Sequence, residues 1–107
     1  MSHKLRFAPE ALAQLEDLEK YIAEASSPIR AANYIDAIID HCDRLTTFPL
    51  RGTARDDLRA GLRTIGFRRR VTILFEVAHD TLNIIDVYYG GKNFEANRRS
   101  ITDDYDI

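Results

Sequence analysis

The sequence predicts a single α+β domain in the order β-α-α-β-β-β, with a helix hairpin packed on one face of a mainly antiparallel sheet. Three observations carry that expectation. Apolar residues recur at steps of three and four from Ala8 to Leu45, then at steps of two from Leu62 onward, and the helical half is interrupted only by Ser26-Ser27-Pro28. Helices followed by a run of strands point to segregated layers rather than to alternating parallel units.

The elements follow in order. Lys4 to Phe7 alternates Leu5 and Phe7 with Lys4 and Arg6 and reads as a brief strand with one buried face. Pro9 suits a first helical position, and Ala8, Ala11, Leu15, Leu18, Ile22 and Ala25 form a stripe along a helix ending near Ala25. Glu10, Gln14, Asp17 and Glu24 lie opposite, where solvation accounts for them. Ser27 is placed to cap a second helix, with Pro28 at its first position. That helix extends to about Thr46 with Ala31, Ile35, Ile38, Ile39, Cys42 and Leu45 on one face, stopped by Phe48-Pro49 and Gly52. Leu62 to Phe67, Val71 to Ala78 and Leu82 to Tyr89 read as strands, the last two joined by a turn at His79-Asp80-Thr81. Adjacent Ile84 and Ile85 suit a strand with neighbours on both sides. Leu15, Ile22, Ile35, Ile38, Phe75 and Ile85 are the expected bridge between helices and sheet. Residues 93–100 fit one or two helical turns, and 101–107 a flexible polar tail.

A chain of 107 residues with no linker-like stretch fits one domain spanning 1–107. With 45% hydrophobic residues it buries roughly 65% of its unfolded surface on folding, so neither disulfide nor metal is required. The lone Cys42 and the absence of a long apolar run are those expected of a cytoplasmic protein with no membrane span. Net charge is −2, which argues against a protein that lives by neutralising many phosphates. The charge is unevenly placed, however. Five acids (Glu10, Glu16, Asp17, Glu19, Glu24) face Lys20 in the first helix, seven arginines face Asp56 and Asp57 between Arg51 and Arg70, and the tail is acidic again at Asp103, Asp104 and Asp106.

Most catalytic chemistry is missing. Ser2, Ser26, Ser27 and Ser100 fall at termini or caps, outside any nucleophile elbow. His3, His41 and His79 are scattered, and the neighbours His41 and Cys42 point about 100° apart on a helix, so they read as a surface histidine and a small core cysteine rather than as metal ligands. Five scattered glycines match neither a Walker loop nor a dinucleotide fingerprint, so no cofactor is expected. What remains is cationic: Arg63 in one strand, Arg68, Arg69 and Arg70 at a turn, and Lys92 just after Tyr88 and Tyr89. Such groups grip phosphate or carboxylate, although a basic turn also serves simply to protect sheet edges.

Several segments occur together in this order: LRFAPEALAQLEDLEKYIAE, then PIRAANYIDAIIDHCDRLTTFPLRG with its Pro-x-x-Gly exit, Gly61-Leu62-Arg63 entering the sheet, and the strands VTILFEV and NIIDVYYGGK. In that order and spacing they resemble the RelE/ParE superfamily of toxins, the ParE branch more than the RelE branch, over nearly the full length. The resemblance implies the toxin half of a type II toxin–antitoxin pair, partnered by a cognate antitoxin whose apolar, partly helical segment folds over the helix hairpin and sheet edge. It also implies a choice of targets. ParE-type members poison DNA gyrase, with Arg68, Arg69, Arg70, Tyr89 and Lys92 as the expected target-binding residues here. RelE-type members cleave ribosome-bound mRNA, which would rest on Arg63, Arg70 and Lys92. Lys92 and Thr72 stand where ribonuclease members place arginines, and Tyr105 sits between Asp104 and Asp106, so the resemblance favours the gyrase inhibitor. A degenerate member that binds only its antitoxin is the third reading.

Overall fold

The computed structural model describes residues 3–90. Along them lie β1 (Lys4–Phe7), α1 (Pro9–Ala25), α2 (Pro28–Leu45), β2 (Thr53–Ala54), β3 (Leu62–Phe67), β4 (Val71–Ala78) and β5 (Thr81–Tyr89). The sheet order is β1-β5-β4-β3-β2; β1 pairs with β5 in parallel and every other pair is antiparallel. The α+β expectation holds, with one strand added. β2 consists of two exposed residues, too few to show a period. The expectations for 93–100 and 101–107 fall outside the described residues.

The helices start as their sequences dictate. Ala8 N–H donates to the Ile84 carbonyl (2.8 Å) as the last rung beside β5, and its own carbonyl accepts from Leu12 N–H (3.1 Å), so the chain passes from strand ladder to helix in one residue. Ser27 Oγ accepts from Arg30 N–H at 3.1 Å and caps α2. Ala11, Leu15, Leu18 and Ile22 of α1 and Ala31, Ile35, Ile38, Cys42 and Leu45 of α2 bury against Val71, Ile73, Phe75, Leu82, Ile84, Val87 and Tyr89. Three stripe members do not join them, the first being Ala8, which is only partly buried at the strand-to-helix junction. Ala25 is exposed because the helix hairpin turns there, and Ile39 remains 39% exposed, one residue round the helix from buried Ile38.

Ile84, rather than Ile85, supplies the core side chain, and the reason is a bulge. Leu74 pairs with Asp86 and Phe75 with Ile84, leaving Ile85 without a partner. The extra residue resets the alternation, so Leu82 and Ile84 point inward below it and Val87 and Tyr89 above it. It also corrects the expectation for Gln14. β1 stops opposite Ile84, and beyond that point the Gln14 side chain takes over: its Oε1 accepts from Val87 N–H (2.7 Å) and its Nε2 donates to Asp86 Oδ1 (3.2 Å). A buried-edge N–H left without a strand partner is thereby satisfied by an amide from α1.

The segment after α2 is fastened to the sheet. Gly52 has φ +78°, and a Cβ there would fall onto the Thr64 carbonyl of β3, so neither the conformation nor the space admits a side chain. Arg63 lies across from Phe75 and donates from Nε to the Arg51 carbonyl (2.9 Å) and from Nη2 to the Leu50 carbonyl (3.1 Å). Gly52 and Arg63 together hold the exit of α2 along the outer strand.

Candidate functional site

The seven arginines between Arg51 and Arg70 do not form one basic face. Arg55 grips Asp57 through two bonds of 2.9 Å, and Arg59 pairs with Glu76 at 2.8 Å. Arg63 is engaged with the carbonyls of residues 50 and 51. Arg51 lies over the Phe48 ring at 6.0 Å. The remaining three occupy the turn between β3 and β4.

That turn is unusual in its backbone. Arg68 and Arg69 have φ of 50° and 67°, the left-handed region in which a hairpin normally places Asn-Gly. One of its side chains, Arg68, is anchored on an aromatic cluster drawn from α1, α2, β3 and β5. Arg68 lies 5.0 Å from the Phe67 ring centroid and 5.6 Å from that of Tyr34 on α2, both within the range of cation–π attraction. Tyr34 meets Phe67 edge-on at 6.0 Å and Tyr89 of β5 at 6.2 Å, and Tyr21 of α1 packs on Tyr89 at 6.1 Å. Gly90 N–H donates to the Arg70 carbonyl at 2.7 Å and ties the end of β5 to the turn.

Of the residues expected to bind a target, the structure thus brings together Arg68, Arg69, Arg70 and Tyr89. Tyr89 is packed into the core rather than displayed, being 9% exposed. Lys92 lies outside the described residues. Arg63, at the other end of β3, is five residues from Arg68, about 16 Å along an extended strand, so it does not join them.

Burial sets the electrostatics around this cluster. It raises the Tyr34 phenol above its ordinary range, while the neighbouring guanidinium groups of Arg68 and Arg70 pull the other way. His41 packs tilted against Phe67 at 5.1 Å, and its buried Nε2 has no hydrogen-bond partner among the described residues. Desolvation, followed by the charges of Arg44 and Arg51, lowers its pKa, with Asp40 opposing. His41 is therefore partly packed rather than a plain surface residue. Cys42 is buried and its thiol is pushed up to about 12 by desolvation, which makes it unreactive. Tyr88 is likewise raised to about 12, first by burial and then by Asp86.

Sequence reasoning overlooked Tyr34 and took His41 for a surface residue. They are seven residues apart on α2 and flank the buried stripe, so helical spacing places both on the border that meets Phe67. That spacing was the available signal. Among the described residues no group of three or more His, Cys, Asp or Glu is arranged to hold a metal, and no helix is long and apolar enough to cross a membrane.

A family model described as the ParE toxin of the type II toxin–antitoxin system parDE matches residues 5–94. The chain belongs to that ParE toxin family. As a family member it is a toxin of a type II toxin–antitoxin system. Solved structures agree in fold. A chain of the chromosomal ParDE system from P. aeruginosa is 19% identical, with a TM-score of 0.72 over 82% of this toxin and 96% of that chain. A chain of the RelBE2 toxin–antitoxin complex from Mycobacterium tuberculosis is 23% identical, with a TM-score of 0.61 over 83% of this toxin and 92% of that chain. At these identities the likeness concerns the ParE/RelE-type fold. A comparison with curated proteins gives no match.

Proposed function

We propose that this ParE-family toxin is a protein inhibitor of DNA gyrase, held silent by a cognate antitoxin, and that the β3–β4 turn makes the target contact. The observation that carries this reading is the division of labour among the arginines. Arg63, which RNA cleavage would need beside Arg70, is occupied with backbone carbonyls at the opposite end of its strand. Arg68 and Arg69 project from a turn in which neither has a hydrogen-bond or carboxylate partner among the described residues. A transition-state stabiliser must converge with other groups on one reacting atom; a protein contact needs only a displayed surface.

The histidines support the same choice. His3 lies against Thr46, His41 packs on Phe67 and His79 sits in the β4–β5 turn at the far end of the sheet, so no two of them make an acid–base pair. The antitoxin assignment is supported by family membership and by the two similar structures, both from toxin–antitoxin systems.

The test is gyrase supercoiling with purified components, comparing wild type with a variant in which Arg68, Arg69 and Arg70 are all Gln, at low and moderate salt. Wild type is expected to inhibit, less strongly as salt rises, and the variant to be inert while its melting temperature is retained. No inhibition by wild type, together with ribosome-dependent mRNA cleavage that disappears in folded Arg63→Ala, would replace the inhibitor with the ribonuclease. Adding cognate antitoxin at about 100 times its Kd should stabilise the toxin by about 2.7 kcal/mol.

A further inference from the structure

We propose that Arg68 is a preformed seat for a carboxylate on an acidic peptide segment of the toxin's protein target, and that Tyr34 of α2 is the residue that positions it. This deepens the protein-target reading and rests on it.

Arg68 differs from every other arginine between Arg51 and Arg70. Its guanidinium lies 5.0 Å from the Phe67 centroid and 5.6 Å from the Tyr34 centroid, so two rings fix its position. Yet no described residue accepts a hydrogen bond from it or pairs with its charge. The two rings stand 69° apart, so the planar guanidinium lies flat on at most one of them; of its five N–H donors none meets an acceptor among the described residues, and a fork of two such donors matches the two oxygens of a carboxylate. A side chain held in place before binding loses less rotamer freedom when the partner arrives. Arg69, its neighbour in the same turn, has neither ring contact nor partner among the described residues and supplies only charge. The left-handed φ of Arg68 is a conformation an arginine adopts at a cost, and strain of this kind gathers at binding sites.

The chemistry favours a carboxylate over a nucleic acid. Binding single strands depends on aromatic faces free to stack bases. Here Tyr34 and Phe67 already face Arg68, and Tyr34 is further engaged by Phe67 and Tyr89. The chain carries a net charge of −2, with the acids Glu10, Glu16, Asp17, Glu19 and Glu24 gathered on α1. A long polyanion would be repelled by this distribution, whereas one carboxylate at the turn would not.

The experiment titrates the toxin with fluorescein-labelled hexaglutamate, and in parallel with a short labelled oligothymidylate, reading anisotropy. Wild type is expected to bind the peptide saturably and more tightly than the oligonucleotide. Arg68→Lys, which keeps the charge but not the fork, should weaken peptide binding about 10-fold, whereas Arg69→Gln, which removes a charge, should weaken it only about 2-fold. Tyr34→Leu should match Arg68→Lys, and Tyr34→Phe, which retains the ring, should stay within about 2-fold of wild type. Melting temperatures accompany each variant, and the surface change Arg68→Lys keeps the test informative should Tyr34→Leu unfold. No saturable peptide binding, tighter binding of the oligonucleotide, a loss at Arg69→Gln equal to that at Arg68→Lys, or a Tyr34→Phe variant as weak as Tyr34→Leu would each overturn the seat. Gyrase inhibition is measured separately, so a toxin that binds peptide as described but spares gyrase overturns the named target and leaves the seat intact.

Discussion

Between the helices and the sheet, the large side chains sit where burial places them: Ile22, Ile38, Ile73, Phe75 and Ile84 are at most 1% exposed. At the β3–β4 end the order of preference is reversed. Two arginines hold positive φ in a turn suited to Asn-Gly, and no described residue pairs with their charges, while Arg55 and Arg59, a short way back along the chain, are both neutralised. Local rules and global fold agree in the first region and conflict in the second, and such conflict marks the part of a protein kept for something other than stability. Stability and toxicity should therefore respond independently to substitutions in the two regions.

The strongest test of that separation lies in the core. Leu15→Ala and Ile38→Ala should each cost about 2–5 kcal/mol in urea unfolding, with toxicity falling only as far as the folded population does. A loss below about 1 kcal/mol at both sites would contradict the helix faces. Gln14→Leu comes next. It leaves Val87 N–H without its acceptor and should cost about 1–3 kcal/mol, although Gln14 is polar and only half-buried; a neutral result would mean that water replaces the amide. At the turn the sign changes. Substituting Arg68-Arg69 by Asn-Gly should stabilise the fold by about 1–2 kcal/mol while abolishing toxicity, and a variant that stays toxic would dissolve the distinction between the regions.

The smallest effect belongs to His41, on the border between them. Its pKa in the folded protein is lowered from 6.5, so below that pH the unfolded chain binds the proton more readily. Stability is then lost as pH falls through 6.5, the ordinary value that the unfolded chain keeps. Partial exposure screens the effect. His41→Gln should flatten this part of the urea-midpoint profile, and an unchanged slope would assign it to other groups.

Much of the fold was legible because helices of this length repeat their burial pattern several times. The stripe from Ala11 to Ile22, the Ser27-Pro28 start and the Pro49–Gly52 exit were all visible as patterns in residue type. What escaped notice depends on events that leave no period. β2 is two exposed residues. Ile84 and Ile85 are equally apolar, and only the bulge decides between them. Gln14 reads as solvated until β1 is seen to end opposite Ile84. For the site, the turn with Arg68, Arg69 and Arg70 stood out by charge, but a charge run does not show which members are already engaged. Arg63 looked as available as Arg68 because its acceptors are carbonyls, which every residue has. Tyr34 emerged only when α2 was placed beside β3.

The parallel pairing of β1 with β5 brings Leu5 beside Leu82, about eighty residues later in the chain. During synthesis at roughly 5–20 residues per second, the first strand waits about 4–16 s for the partner that completes its ladder. Tyr89, which anchors the cluster beneath Arg68, emerges later still. Each newly made molecule thus passes through an interval in which its basic turn exists as sequence but not as a shaped surface. In a toxin family member, the surface carrying the basic turn is among the last parts of the molecule to take shape.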